Sequence, residues 1–302
     1  MTALLLAAWL SAAEPVAAPR FTVKPIAAGV FAAIADVNDE SSLGNAGFVI
    51  GSDGVLVVDS FATPAAAEKL LAEIRSKTAL PVRCVVNTHF HRDHVGGNSV
   101  FAKAGAVILA HDNVRAWARR EWQKDLTPEQ RARYAAITLP DVTYRDRASV
   151  WLGDRRVDLF HRPGHTGSDS IVAVPDASVV FGGDLVLHGA IANTQLGRTD
   201  GWIATLDELL RDYPSATFVP GHGDLSRALD VRLFRDYLRT LRLAVERARA
   251  VGKSGAALVE AVRPQLQSRY GSWTWFEHVE GSIGDVEAEL SGTKVYPPEP
   301  NR

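Results

Sequence analysis

Residues 87–98 read Asn-Thr-His-Phe-His-Arg-Asp-His-Val-Gly-Gly-Asn, which places His89, His91, Asp93 and His94 within six positions. Neither a regular strand nor a regular helix turns all four to one side. In extended chain, residues two apart share a face, so His89, His91 and Asp93 converge just beyond a strand end. His94 is out of phase and needs a turn, which Gly96-Gly97 makes feasible. On a helix, His89 and His91 would diverge. The cluster therefore belongs on a loop leading from a strand into a helix, and the apolar run Cys84-Val85-Val86 supplies the strand.

The flanking sequence has the grain of an α/β chain. Segments 22–34, 46–50, 55–59, 82–87 and 107–110 read as strands, and so do 150–152, 156–160, 171–174, 179–181 and 217–219. Thr63-Pro64 opens a helix to about residue 77, with Thr as N-cap and Pro at the first helical position. Helices are also expected over 113–124 and 202–212, and Thr127-Pro128-Glu129-Gln130 has the spacing of a capping box. From residue 225 the pattern is mostly helical, over 225–251, 254–267 and 283–290. Strands and helices interleave from 22 to 222, which predicts an α/β body with a helical C-terminal extension over 223–302 packed on it.

Composition narrows the chemistry. The 302 residues carry 33 Lys and Arg against 35 Asp and Glu. Without a basic excess, broad electrostatic binding to nucleic acid is not expected. Cys84 is the single cysteine, which excludes an internal disulfide, zinc fingers and CxxC redox motifs. A metal site must then be built from His and carboxylates. Three more candidates sit among glycines after strands: His165 in Pro-Gly-His-Thr-Gly, Asp184 in Gly-Gly-Asp and His222 in Pro-Gly-His-Gly. Catalytic zinc takes about four positions and keeps one for water, so four side chains crowded on one loop suit two metals sharing them. His111, His161, His188 and His278 read as ordinary core or surface histidines. Residues 3–13 are apolar or small, and Ser11-Ala12-Ala13 resembles a cleavage site. This run is shorter than the ~20 residues of a membrane span. It reads as a signal peptide over 1–13, which implies a periplasmic or secreted protein. No other apolar run is long enough for a membrane segment.

The order HxHxDH, GHT, GGD, PGHG over about residues 22–222 closely resembles the metallo-β-lactamase superfamily. The resemblance implies a four-layer αβ/βα sandwich with the metal site at one edge, between two mixed sheets. It implies two Zn(2+): His89, His91 and His165 would hold the first, and Asp93, His94 and His222 the second, with Asp184 bridging. The text FGGDLV and its spacing are similar to the broad-spectrum β-lactamases whose second zinc carries a cysteine. Here Asp184 takes that position, and Leu187 stands where those enzymes place a Lys that grips the substrate carboxylate. An Asp at this position is what the thioesterases and lactonases of the superfamily use. Arg198, in the loop 188–201, is a candidate replacement for the missing cation. His91 argues against the flavin-linked di-iron oxygen reductases of the superfamily, which usually carry an acid there.

The expected activity is hydrolysis of a small-molecule amide, β-lactam, lactone or thioester, in which metal-activated hydroxide attacks a carbonyl and Asp93 orients the nucleophile. A glyoxalase-type thioesterase or a lactonase is one alternative. A non-catalytic metal-binding partner protein is the rival from another class. No GxSxG motif points to a serine nucleophile. Asp59 reads equally as a partner for a ligand imidazole and as a turn residue. Cys84, Trp202 and Leu206 read as core. Trp273, Trp275 and Phe276 read as packing anchors for the C-terminal segment, with a lid over the cleft as the lesser reading. The sequence leaves the oligomeric state open.

Overall fold

The computed structural model describes residues 18–121, 127 and 138–297. The leader-like residues 1–13 and the helix expected from the Thr127 capping box lie outside the described residues. The first sheet runs β1 (Phe21–Ala27), β2 (Val30–Ala35), β3 (Ala46–Ile50), β4 (Val55–Val58), β5 (Val82–Asn87), β6 (Val107–His111) and β7 (Val142–Tyr144), in that spatial order. It is antiparallel from β1 to β4 and parallel from β4 to β7. The stretch expected as one strand over 22–34 is a hairpin, because Gly29 takes φ +70° between β1 and β2. The short strand β7 carries no run of apolar residues and was not legible in the sequence.

The second sheet is ordered β12-β11-β10-β9-β8. Its strands are β8 (Arg147–Leu152), β9 (Arg155–His161), β10 (Ser170–Val174), β11 (Val179–Leu187) and β12 (Thr217–His222). All its pairings are antiparallel except β11 with β12. Strand β11 runs six residues past its expected end, so Gly182-Gly183-Asp184 lies inside a strand rather than after one. Its register against β12 shifts between Phe181 and Gly183 and again before Leu187. Such irregularities bend a strand and re-aim a side chain, and here they surround Asp184.

Among the described residues the helices are α1 (Pro64–Lys77), α2 (Arg92–Val95), α3 (Asn98–Lys103), α4 (Asp112–Glu121), α5 (Thr199–Asp212), α6 (Ala228–Ala250), α7 (Gly255–Tyr270) and α8 (Val279–Ser291). Thr63 caps α1 as expected, its side chain accepting from the Ala66 N–H. Strand β4 is buried on both faces. Val55 and Val57 join Leu70 and Ile74 of α1 and Phe101 of α3, while Leu56 and Val58 join Val172, Val174 and Phe181 of the other sheet. Burial on both sides explains why its sequence is a continuous apolar run without alternation. Cys84 belongs to this inter-sheet core, and burial pushes its thiol up to about 12, so it is an inert packing residue.

The far face of the second sheet presents Ile171, Ala173, Val180 and Phe218 to α5 and α6. Trp202 and Leu206 of α5 are fully buried there, and the Trp202 indole N–H donates to the Leu185 carbonyl (2.9 Å). Helices α6, α7 and α8 share this apolar core through Phe234, Leu238, Leu241, Leu258, Val262 and Ile283. The order of layers is thus helices, sheet, sheet, helices, and the helices after His222 complete the fourth layer. Glu289 of α8 locks them down. Its carboxylate accepts from the Thr199 N–H (3.0 Å) at the start of α5 and from Arg242 of α6 (2.8 Å), where a negative charge also complements the helix N-terminus. No helix among the described residues is long and apolar enough to cross a membrane.

A chain ending at Asp224 would leave Phe218, Val180 and Trp202 without their cover. We expect it to lose cooperative urea unfolding and to bind a hydrophobic dye, whereas a self-standing sandwich over 22–222 would unfold cooperatively without the tail.

Candidate metal centre

Strand β5 ends at Asn87, and α2 begins at Arg92 with His91 as its N-cap in extended conformation. The His-rich run is therefore the strand-to-helix loop that its spacing demanded. The single turn of α2 swings the out-of-phase His94 inward until it is fully buried. His165 arrives from the loop after β9, Asp184 from the distorted part of β11, and His222 from the last position of β12.

All seven side chains converge. The ligand-capable atoms of His89, His91, His165 and Asp184 lie within 4.8 Å of one another, and so do those of Asp93, His94 and His222. Asp184 joins the two sets. Its Oδ2 is 3.4 Å from His165 Nε2 and 3.8 Å from His89 Nε2, while its Oδ1 is 3.2 Å from His94 Nε2 and 3.4 Å from His222 Nε2. Asp93 Oδ2 faces His222 Nε2 at 3.2 Å and His94 Nε2 at 3.3 Å. His91 turns its Nδ1 inward, 2.9 Å from His165 Nε2. Buried His89 Nε2, His94 Nε2 and Asp184 Oδ1 have no hydrogen-bond partner within the protein. Buried polar atoms left unpaired cost roughly 1–3 kcal/mol each, and a cation held among them removes that cost. An all His and Asp donor set of this kind fits zinc.

The far ring nitrogens are held as well. His94 Nδ1 lies 2.8 Å from Asp59 Oδ2. Asp59 also accepts from the Thr88 N–H (2.7 Å) and the Thr88 hydroxyl (2.7 Å), and that hydroxyl oxygen is 3.1 Å from His89 Nδ1. One buried carboxylate thus orients two imidazoles, one directly and one through Thr88, with its own backbone held at φ +58°. The Asn193 carbonyl, 3.0 Å away, can only accept, so His165 Nδ1 carries the proton and its Nε2 lone pair points inward. Asp59 was one of two equal readings in the sequence. Thr88 and Asn193 carried no signal, because a hydroxyl and a backbone carbonyl have no metal-ligand pattern.

Two further devices set the backbone. Asn45 donates from Nδ2 to the carbonyls of Pro220 (2.9 Å) and Gly223 (2.8 Å), while its Oδ1 accepts from the Ala35 N–H. This ties the His222 loop to the first sheet. A Cβ on Gly221 would fall 1.9 Å from Asp184 Oδ1, so only glycine lets β12 pass the bridging carboxylate.

Burial works against the charged forms, and the carboxylates decide which imidazoles keep a proton. Burial holds His165 down to about 3 despite nearby Asp184, and it drives His89 well below the ordinary range. For His222, Asp184 and Asp93 outweigh burial and push it up to about 9. His94, facing Asp93, Asp184 and Asp59, likewise lies well above the usual value. The same imidazolium neighbours hold Asp93 and Asp184 well below the carboxylate range against the effect of burial.

The centre opens into a cleft of about 920 Å³. Asp93, Asp184, His91, His165 and His222 line its floor, and Leu187, Ile191 and Trp275 line it beside them. The aromatic cluster, read chiefly as packing anchors with a lid as the lesser reading, is split. Trp273 packs on Tyr237 and Tyr270, and Phe276 is buried. Trp275 instead sets its ring edge-on to His222, 4.9 Å between centroids. Arg198 does not line the cleft. It lies over the Tyr296 ring at 3.9 Å, beside Arg242 and Glu289. His111 and His161 stack on each other at 3.9 Å, and His188 contacts Ser226, as ordinary packing histidines do. His278 is exposed on the cleft wall.

Residues 41–222 match the family model of the metallo-β-lactamase superfamily, and the chain belongs to that superfamily. It is 30% identical over 253 residues to the β subunit of 2,4-dinitroanisole O-demethylase from Nocardioides sp., covering 82% of this chain and 74% of that one. It is 23% identical to a linear primary-alkylsulfatase from Pseudomonas sp. over 73% of this chain, and spans about half, 52%, of that relative's length. In fold it is similar to a metallo-β-lactamase from Pontibacter korlensis, with a TM-score of 0.63 at 21% identity, covering 73% of this chain and 99% of the other. Membership supports a hydrolytic role.

Two outcomes test the centre. Asp59→Asn keeps a residue that tolerates the left-handed backbone but removes the charge behind His94. Zinc affinity should fall roughly 10–100-fold in chelator competition, with the fold retained. Because metal-free His94 and His222 hold protons at pH 7, metal uptake must displace them. A weakly buffered indicator solution should therefore acidify on zinc addition, and affinity should fall as pH drops below 9.

Proposed function

We propose that the protein is a binuclear zinc hydrolase acting on a small-molecule amide, lactone or thioester. One observation carries this reading: the two oxygens of Asp184 face two separate donor sets, and Asp93 faces the second of them. Zinc ions held by these sets would supply Lewis acidity toward a carbonyl oxygen and a hydroxide nucleophile at neutral pH.

The chain's own residues do the rest. Asp93 turns Oδ2 toward His94 and His222, which leaves Oδ1 to accept the proton of the attacking water and hold its lone pair toward the substrate. Asp59, through His94 and Thr88, keeps two imidazoles in the tautomer that offers Nε2. Leu187 lines the cleft where the cysteine-bearing β-lactamases place a cation, and Arg198 lies elsewhere. The grip of those enzymes is thus absent at this position and, among the described residues, Arg92 is the cation that lines the cleft, so lactones and thioesters rank ahead of β-lactams.

The purified, metal-replete protein should contain close to two zinc per chain by elemental analysis. Asp93→Ala should lower kcat at least 100-fold on the responsive member of a panel of nitrocefin, a lactone and a thioester. Chelator-insensitive turnover, or a folded protein that takes up no zinc, would overturn the reading.

A further inference from the structure

The C-terminal segment carries an observation that the metal centre does not use. Trp275 adopts φ +63°, a left-handed conformation in which a bulky side chain is a genuine outlier. Strain of this kind persists only where surrounding bonds enforce it, and it concentrates at functional sites. Here the bonds are visible. Thr274 pairs with Ala190, the Ile191 N–H donates to the Thr274 carbonyl (2.9 Å), and the Thr274 N–H donates to the Gly189 carbonyl (2.9 Å). On the other side, the His278 N–H donates to the Trp275 carbonyl. Phe276 is buried in the core, and Trp273 and Trp275 are both half-buried and pack against it; Trp275 also lines the cleft, edge-on to His222. Leu43, at φ +45°, is a second strained non-glycine residue on the same cleft. The nearly buried Leu187 and Ile191 line the same cleft, so Trp275 and Leu43 supply the more exposed apolar side chains there.

We propose that Trp275 is a specificity-determining residue, and that with Leu43, Leu187 and Ile191 it binds an aryl or branched alkyl group attached next to the scissile bond. This rests on the hydrolase reading above. Trp275 lies beyond the residues 41–222 that match the family model, whereas Leu43, Leu187 and Ile191 lie within them, so the C-terminal segment contributes the aromatic part of the wall. The segment is pinned to loop 189–191 by backbone bonds at both Thr274 and Ile191, which makes it a fixed wall rather than a lid.

The test uses the zinc-loaded full chain and two metal-chelating probes, acetohydroxamate and benzohydroxamate, titrated calorimetrically. The wild type should prefer the aryl probe. Trp275→Ala should cut that preference roughly tenfold, the factor that an aromatic contact carries, with zinc content and acetohydroxamate affinity unchanged. Trp275→Phe should restore most of it, and Trp275→Leu serves if the Ala variant does not fold. An unchanged preference, or equal weakening of both probes, overturns the assignment and leaves the hydrolase reading intact. A zinc-loaded wild type that binds neither probe overturns the assignment alone, whereas a folded chain that takes up no zinc overturns the hydrolase reading and the wall with it.

Discussion

The architecture depends on burying the Asp184 carboxylate. An ionised carboxylate in the interior is tolerated only with close positive or polar partners, and Asp184 finds four imidazoles around its two oxygens. No single element could deliver them. His89 and His94 come from the loop and short helix after β5, an interior strand of the first sheet, His165 and His222 from the second, and Asp184 from the second sheet's own distorted strand. The centre exists only where the two sheets meet, so the inter-sheet packing of Leu56, Val58, Val172 and Phe181 sets its dimensions.

That seam is tied by polar contacts as well as by apolar ones. Asn45 spans it, bonding the first sheet at Ala35 and the His222 loop at Pro220 and Gly223. Asp59 closes the first sheet's side by holding His94 and, through Thr88, His89. Buried hydrogen bonds of this sort limit rotation of each ring about its long axis, which is what a ligand set with alternate inward nitrogens requires. Gly221 completes the fit by removing a side chain from the point of closest approach.

The helices after His222 serve both stability and the site. Their apolar faces cover Phe218 and Val180, and Glu289 anchors them to the start of α5. The same helices carry the 274–278 turn to the cleft, where Trp275 meets His222. A layer that closes the core therefore also shapes the cleft above the candidate metal centre.

Much of this was legible in residue order. The spacing placed His89 and His91 in one donor set, but Asp93 lies in α2 with His94 and faces His222 in the other; the glycine-flanked His165, Asp184 and His222 completed the two sets, although Asp184 lies inside β11 rather than after a strand. The single cysteine, in the apolar run of β5, required a His and Asp site. What residue order could not decide depended on contacts between distant segments. The bend that aims Asp184 is a register shift between β11 and β12. Arg198 looked available to the cleft until packing placed it on Tyr296. Trp273 and Trp275 are alike in the sequence and both are half-buried against the same core, but only Trp275 meets His222 on the cleft, where the pairing of Thr274 with Ala190 holds the turn.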